Sequence, residues 1–571
     1  MAATDAGDGP TPRREGPQAP VDDFQLPWRD FAEFFAARTD AEQLFLVELD
    51  HDAGTRAEWP VGSWRGRVHA TASWLQEEGV GPGDNVATLA GNSADALALA
   101  YACWVLGACC VPLNPGDGAD RQAYVVADAQ VRVLVHGPVW RERAAAIAAR
   151  SPVPLRAVED LPARDPGSAP SAQQAAQGPG VEPAAREHGV DLHADAVRVY
   201  TSGTTGEPKG VVLTAANLLT DCDALLGGLG WGADTRVLTV LPVHHVNGLV
   251  ISSLLPWYGG FSTVLCDRFR SERFWADAAD EQATVCSVVP SLLEFLLSSD
   301  GNARALLREL LCGAGPLLSE TVLSFERTFG VPVRHLYGLS ETTAVATLMP
   351  RLPEAERTCW YRDFGFPSIG PTLPHVAMSV LGKDDTPLPE GQRGELAIRG
   401  ATVMRGYAGH PKATEEAFRG GWFHSGDEGF WTPGPDGEPF YFITGRIKEM
   451  IIRGGVNLSP FEIDEVLRAH PAVRYALAVP FDNRFYGEEV AAYVVAAEPV
   501  SEEELLAYCA QRLDFARQPK VVVFGDDVPY TVTGKAKRLE LKRRLAEDLA
   551  AHRDTQFRRP GAPGPGAPPS G

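Results

Sequence analysis

Short uninterrupted apolar runs recur along this chain between helical patterns: VRVLVH at Val131–His136, RVLTVLP at Arg236–Pro242, STVLC at Ser262–Cys266 and ATVCSVV at Ala283–Val289. A strand with one wet face alternates apolar and polar side chains, whereas a strand covered on both faces need not. Such runs interleaved with helices predict an α/β fold with mainly parallel sheets. DALALAYACWVLGACCVPLN, from Asp95 to Asn114, reads as a helix running into one of these strands.

At 571 residues the chain is too long for one ordinary domain. Composition shifts after Arg446, which predicts a large N-terminal domain of several subdomains over residues 23–446 and a small α+β C-terminal domain over 447–556. The small domain opens with a helix start: Ser459 as N-cap, Pro460 at the first helical position and Glu462 completing a capping box, with Pro471 as the stop. A second capped helix is predicted from Ser501, with Glu504 three residues on. Residues 1–22, a low-complexity loop at about 164–186 and the Pro/Gly tail 557–571 cannot bury enough apolar surface to order themselves.

The charge balance narrows the partners. The net charge is -22, from 52 basic and 74 acidic residues, which argues against nucleic acid or an anionic membrane surface as the main partner. No apolar stretch reaches the roughly 18 residues of a membrane span, and the N-terminus has no secretory core. Nine scattered cysteines without a CxxC pair point to a reduced, cytoplasmic protein with neither a disulfide framework nor a zinc site.

One stretch departs from the apolar background: YTSGTTGEPKGV, Tyr200–Val211. Gly203, Gly206 and Gly210 let backbone N–H groups crowd around an anion. Thr201, Ser202, Thr204 and Thr205 add hydroxyl donors, and Lys209 adds a movable charge. The lysine follows Pro208, so the Walker register does not fit. By itself the stretch is either a phosphate cradle or a Ser/Thr/Gly linker.

Further strings follow in order: LPVHHVNG (Leu241–Gly248), CGAGPL (Cys312–Leu317), YGLSETT (Tyr337–Thr343), GELAIRGATVMRGY (Gly394–Tyr407), GWFHSGD (Gly421–Asp427), ITGRIKEMIIRGGVN (Ile443–Asn457) and PYTVTGKAKR (Pro529–Arg538). Together they resemble the adenylate-forming (ANL) superfamily, and within it the acyl-CoA synthetases, over residues 30 to 545. The resemblance implies a two-step ligase. A carboxylate attacks the α-phosphate of ATP to give acyl-AMP and pyrophosphate, and the thiol of coenzyme A then displaces AMP. It implies a small domain that rotates between the two steps about Lys448.

It also implies roles for particular residues. The 201–209 loop would hold the β- and γ-phosphates of ATP, and Glu341 would be the Mg2+ ligand, as a hard cation requires of a carboxylate. Ser340 stands where threonine is common and keeps a hydroxyl for the α-phosphate. Tyr337 and Gly338, with Gly313, Ala314, Gly315 and Pro316, would enclose the adenine. Asp427 and Arg446 would contact the ribose. Lys535 would bridge the attacking carboxylate and the α-phosphate, and His245 would stand beside the acyl group. Gly454 and Gly455 would line the thiol tunnel. Lys537, Lys542 and the neighbouring arginines read as a solvated basic face. Gly445 replaces a common aspartate, and Ala215 a common histidine.

The substrate implied is a hydrophobic carboxylic acid, its pocket lined by Cys312, Val345 and Val288–Leu293. No aspartate for an amino group shows in LPVHHVNG, and no carrier domain follows. Two alternatives stand beside the CoA ligase: an enzyme passing acyl-AMP to a carrier protein or partner enzyme, and a non-catalytic nucleotide-binding scaffold.

Overall fold

The computed structural model describes residues 24–162, 191–201, 208–299, 306–315, 317–364, 367–529 and 536–557. The low-complexity loop, both chain ends, Ser202–Gly206, Pro316 and Lys535 lie outside them.

The apolar runs become the central strands of two mainly parallel sheets, as their composition predicts. In the larger, eight strands lie in the order Thr347–Leu348, Val333–Tyr337, Glu309–Cys312, Val285–Val288, Arg236–Thr239, Ser262–Cys266, Leu44–Asp50 and Thr55–Pro60. The interior pairs are parallel, and only the two edge strands run antiparallel. The second sheet has seven strands, with Asn85–Leu89, Cys109–Pro112 and Val131–His136 at its centre. Between the two sheets lies the principal core, where the helix Ala94–Leu106 is buried along its whole length. That explains why its sequence shows no polar face.

Two smaller sheets follow. Val376–Leu381, Gly394–Gly400, Phe423–Pro433 and Pro439–Arg446 form an antiparallel sheet of four. Beyond Arg446 a short turn, Ile447–Glu449, leads into a five-stranded sheet built on the hairpin Val473–Asn483 and Gly487–Ala496. This C-terminal unit has its own apolar core, with Ile463 and Leu467 of the helix Pro460–Arg468 packed against the sheet. The fold is therefore α/β, with a large N-terminal part and a smaller C-terminal one. No helix among the described residues is long and apolar enough to cross a membrane. All nine cysteines are unpaired thiols.

Two local expectations need correction. The Ser459 hydroxyl caps its helix by accepting from Glu462 N–H at 3.4 Å, but the Glu462 carboxylate does not turn back to close the box. It pairs instead with Arg393 and with Arg517, at 3.3 Å from the latter. Nor is Arg538 part of a solvated basic face. It is buried, and its guanidinium meets Asp464 at 2.6 Å. Lys542 does lie toward solvent, with Glu488 at 2.9 Å.

Candidate active site

Ligands of open α/β sheets bind at the carboxyl ends of the strands, and three of the quoted strings sit there in spatial order. Tyr337 ends the strand Val333–Tyr337, with Gly338, Ser340 and Glu341 in the turn beyond it. Gly313–Gly315 follow the next strand, Pro290 and Ser291 the one after, and the His244–His245 turn follows Arg236–Thr239. Neighbouring strands are about 4.8 Å apart, so the histidines lie roughly 10 Å along the edge from the Gly313 turn.

The glycines are there for space. A Cβ on Gly313 would come 2.3 Å from Leu336 Cδ1, and one on Gly338 would come 2.2 Å from Ala344 O. Ala314 takes a left-handed φ of 66° in the turn after Gly313.

A cavity of about 210 Å³ opens beside these turns, with Ala314, Gly315, Tyr337, Gly338, Asp427 and Arg446 in its lining. Tyr337 and Asp427 are both buried, and the tyrosine hydroxyl donates to Asp427 Oδ2 at 2.8 Å. Arg446 Nε meets the other oxygen, Oδ1, at 2.7 Å. The Asp427 carboxylate raises the arginine pKa still further, so the guanidinium stays charged. Burial first, and then the same carboxylate, drives the Tyr337 phenol well up, so it is a donor and never a phenolate. His335 also lines the cavity; burial pushes it down to about 4, so its ring is neutral.

A second constellation adjoins the first. Glu341 Oε1 accepts from the Tyr407 hydroxyl at 3.0 Å, and Lys209 Nζ lies 5.1 Å from the Tyr407 ring centroid. Thr201 and Lys209 face one another across the antiparallel pair that leads into and out of the phosphate-loop string. Tyr407 thus joins Lys209 to Glu341. Its place at the end of GELAIRGATVMRGY was visible in the sequence, but nothing there assigned it a partner.

The histidine turn is clamped from outside. Asn92 Nδ2 donates to Leu241 O and Cys266 O, both at 3.1 Å, and Asn92 Oδ1 accepts from Val243 N–H at 2.9 Å. The rings of His244 and His245 are 4.4 Å apart. Burial pulls His244 well below the ordinary histidine range, so it is neutral. His244 Nε2 and Asn247 Oδ1 are sealed from solvent with no hydrogen-bond partner among the described residues. Of the residues expected to line an acyl pocket, Val288, Leu293, Cys312 and Val345 are packed into the cores, while Pro290 and Ser291 face the cavity.

Gly454 and Gly455 adopt positive φ of 58° and 85° in a turn of the C-terminal unit. They do not line the cavity; Gly454 N–H donates to Tyr486 O at 2.7 Å. Ala536, next to the expected catalytic lysine, is in the cavity wall.

A family model described as AMP-binding enzyme matches residues 62–408, and one for the C-terminal domain of these enzymes matches residues 462–535. The chain belongs to the AMP-binding enzymes. Among the members of this family it resembles is sulfoacetate–CoA ligase of Cupriavidus necator, 38% identical over 352 residues, 61% of this chain and 67% of that protein. Feruloyl-CoA synthase of an Amycolatopsis species is 31% identical over 488 residues, 84% of this chain and 92% of that one. Among solved structures, ATP-bound MatB from Rhodopseudomonas palustris superposes with a TM-score of 0.78 at 26% identity, covering 90% of this chain and 99% of that one.

Proposed function

We propose that this AMP-binding enzyme is an AMP-forming acid–CoA ligase. It joins a hydrophobic carboxylic acid to ATP as acyl-AMP, releasing pyrophosphate, and then transfers the acyl group to coenzyme A with loss of AMP. The observation that carries the reading is the Asp427 carboxylate, held between Tyr337 and Arg446 on the wall of the cavity that Ala314 and Gly315 border.

The residues present suit each substrate. Tyr337 offers a flat buried face for adenine, and the glycine turns permit close approach of the base. Asp427 is an acceptor for ribose hydroxyls, already oriented by its two partners. Glu341 would hold Mg2+: Tyr407 orients its carboxylate, and this ion usually takes one or two carboxylates alongside phosphates. When bound, the ion would supply charge neutralisation on the phosphates. Lys209, beside Tyr407, would add a donor to the same phosphates. His245 and the neutral His244, some strands away, would face the acid. Lys535 would neutralise charge that develops between the carboxylate and the α-phosphate, a kind of stabilisation worth roughly 10² to 10³ in rate. Gly454 and Gly455 would serve the thiol only after the C-terminal unit turns.

CoA is the acceptor favoured over a carrier protein because relatives spanning most of the chain are named CoA ligases. Those names cover aryl acids such as ferulate and 2-succinylbenzoate as well as the small polar sulfoacetate. The test is incubation with ATP, Mg2+ and a panel of aryl, fatty and small polar acids, with and without CoA, followed by mass spectrometry. Acyl-CoA from an aryl or fatty acid is the expected product. Acyl-AMP that CoA leaves unchanged would move the acceptor to a carrier or partner enzyme. Absence of pyrophosphate release with every acid would overturn the ligase reading.

A further inference from the structure

The helix Pro460–Arg468 belongs to the C-terminal unit, yet Phe461, Asp464, Glu465 and Arg468 line the same cavity as Tyr337 and Asp427. Its two faces are used differently. Ile463 and Leu467 are spent inside the C-terminal unit, against the five-stranded sheet. The face turned to the large part carries Asp464, Glu465 and Arg468 beside Phe461.

Arg468 Nη2 meets Glu294 Oε1 at 2.5 Å, and the Thr321 hydroxyl donates to that same oxygen at 2.5 Å. Glu465 Oε1 accepts from Ser319 N–H at 2.9 Å. Ser319 is the first residue of the helix Ser319–Phe329, so this N–H has no partner within its own helix. Glu294 lies on the helix Pro290–Leu297. The two fastenings therefore grip the elements that follow the strands Val285–Val288 and Glu309–Cys312, whose turns border the nucleotide cavity. An interface made of ion pairs and hydrogen bonds can open and reclose more readily than a large apolar one.

We propose that Arg468 and Glu465 are positioning residues for adenylation, fastening the helix Pro460–Arg468 as the outer wall of the nucleotide cavity. The proposal rests on the ligase reading for its kinetic consequence, but not for the fastening itself. With the wall in place, ATP is enclosed while the acid attacks. Undoing these two contacts, with the Arg393–Glu462 pair at the start of the same helix, releases the wall and lets the C-terminal unit take the arrangement required by the thiol step.

The experiment has two arms. In the first, amide hydrogen exchange of the ligand-free protein follows segments 460–468 and 319–323 in wild type, Arg468→Ala, Arg468→Lys and the exchange pair Glu294→Arg with Arg468→Glu. Exchange in both segments should rise several-fold in Arg468→Ala and return toward wild type in the exchange pair, at unchanged Tm. In the second, the KM for ATP is read from pyrophosphate release, and thioester formation is read from supplied acyl-AMP. Arg468→Ala should raise the KM for ATP roughly 3- to 10-fold, the range expected of a coupled pair. The thioester step should hold or quicken, and Arg468→Lys should recover part of the loss.

Unchanged exchange in Arg468→Ala would overturn the fastening. A parallel fall of both half-reactions, without rescue by the exchange pair, would reduce Arg468 to a structural residue. If wild type releases no pyrophosphate with any acid, the ligase reading fails, and the exchange arm still decides the fastening by itself.

Discussion

The two ends of the sheet edge are built on opposite terms. At the nucleotide end the polar atoms are already partnered: Tyr337 and Arg446 share Asp427, and Tyr407 holds Glu341. At the histidine turn, His244 Nε2 and Asn247 Oδ1 are shut away from water with no partner among the described residues, although Asn92 fixes that turn firmly. A preformed end binds what every turnover shares. An end with unmet hydrogen bonds waits for a substrate to meet them, and a buried unpaired group penalises acids that cannot. Under the proposed function, the contrast assigns specificity to the histidine turn rather than to the nucleotide side of the cavity.

The contrast can be broken in order of expected effect. Lys535→Ala should lower pyrophosphate release by roughly 10²- to 10³-fold while sparing thioester formation from supplied acyl-AMP; normal pyrophosphate release would remove Lys535 from the mechanism. Next, Glu341→Gln should cost about 10²-fold in adenylation and shift the Mg2+ dependence to higher concentration, leaving the ranking of acids alone. A change in that ranking would mean the two ends are not separate. His244→Phe should do the reverse. The KM for the acid and the preference among acids should move by roughly tenfold, with the KM for ATP unmoved; an unaltered acid ranking would sink the assignment of specificity to this turn.

The smallest effect concerns pH. Burial pushes Glu465 up to about 8 where it meets Ser319 N–H, with Arg468 pulling down and Asp464 and Glu320 pushing up. Glu294 faces it from the neighbouring helix through Arg468. Released into water, a glutamate titrates near 4.3. The fastened arrangement thus binds the proton more tightly. Its contribution is complete below about pH 4.3 and is lost as pH rises through about 8. The KM for ATP should therefore climb a few-fold between about pH 6 and 9 in wild type and stay flatter in Glu465→Gln, which keeps an acceptor without the charge. Identical pH profiles would show that Glu465 does not titrate with closure.

Much of the frame was legible from sequence because its causes are local or repeated. Buried parallel strands must be apolar on both faces, so Val131–His136 and Ser262–Cys266 announced themselves. The Ser459 and Ser501 caps depend on spacings of three residues, and both form. Glycines that must clear a neighbouring strand, as at 313 and 338, left their mark inside strings. The partners were harder. Glu462 satisfied a local capping pattern, yet a competing arginine at position 393 takes its carboxylate. Arg538 sat in a run of basic residues that suggested solvent, and only the placement of Asp464 showed it to be buried.

By itself, then, the sequence determined the layered α/β architecture, the family and the nucleotide-binding strings, because period, glycine placement and side-chain type act over a few residues. Tertiary structure alone decided which groups meet: Tyr337 with Asp427, Tyr407 with Glu341, and Arg468 with Glu294 across 174 positions of chain. It also decided which buried polar atoms, such as His244 Nε2, find no partner among the described residues. Those outcomes depend on how separate elements pack, and no spacing along the chain encodes a distance between elements.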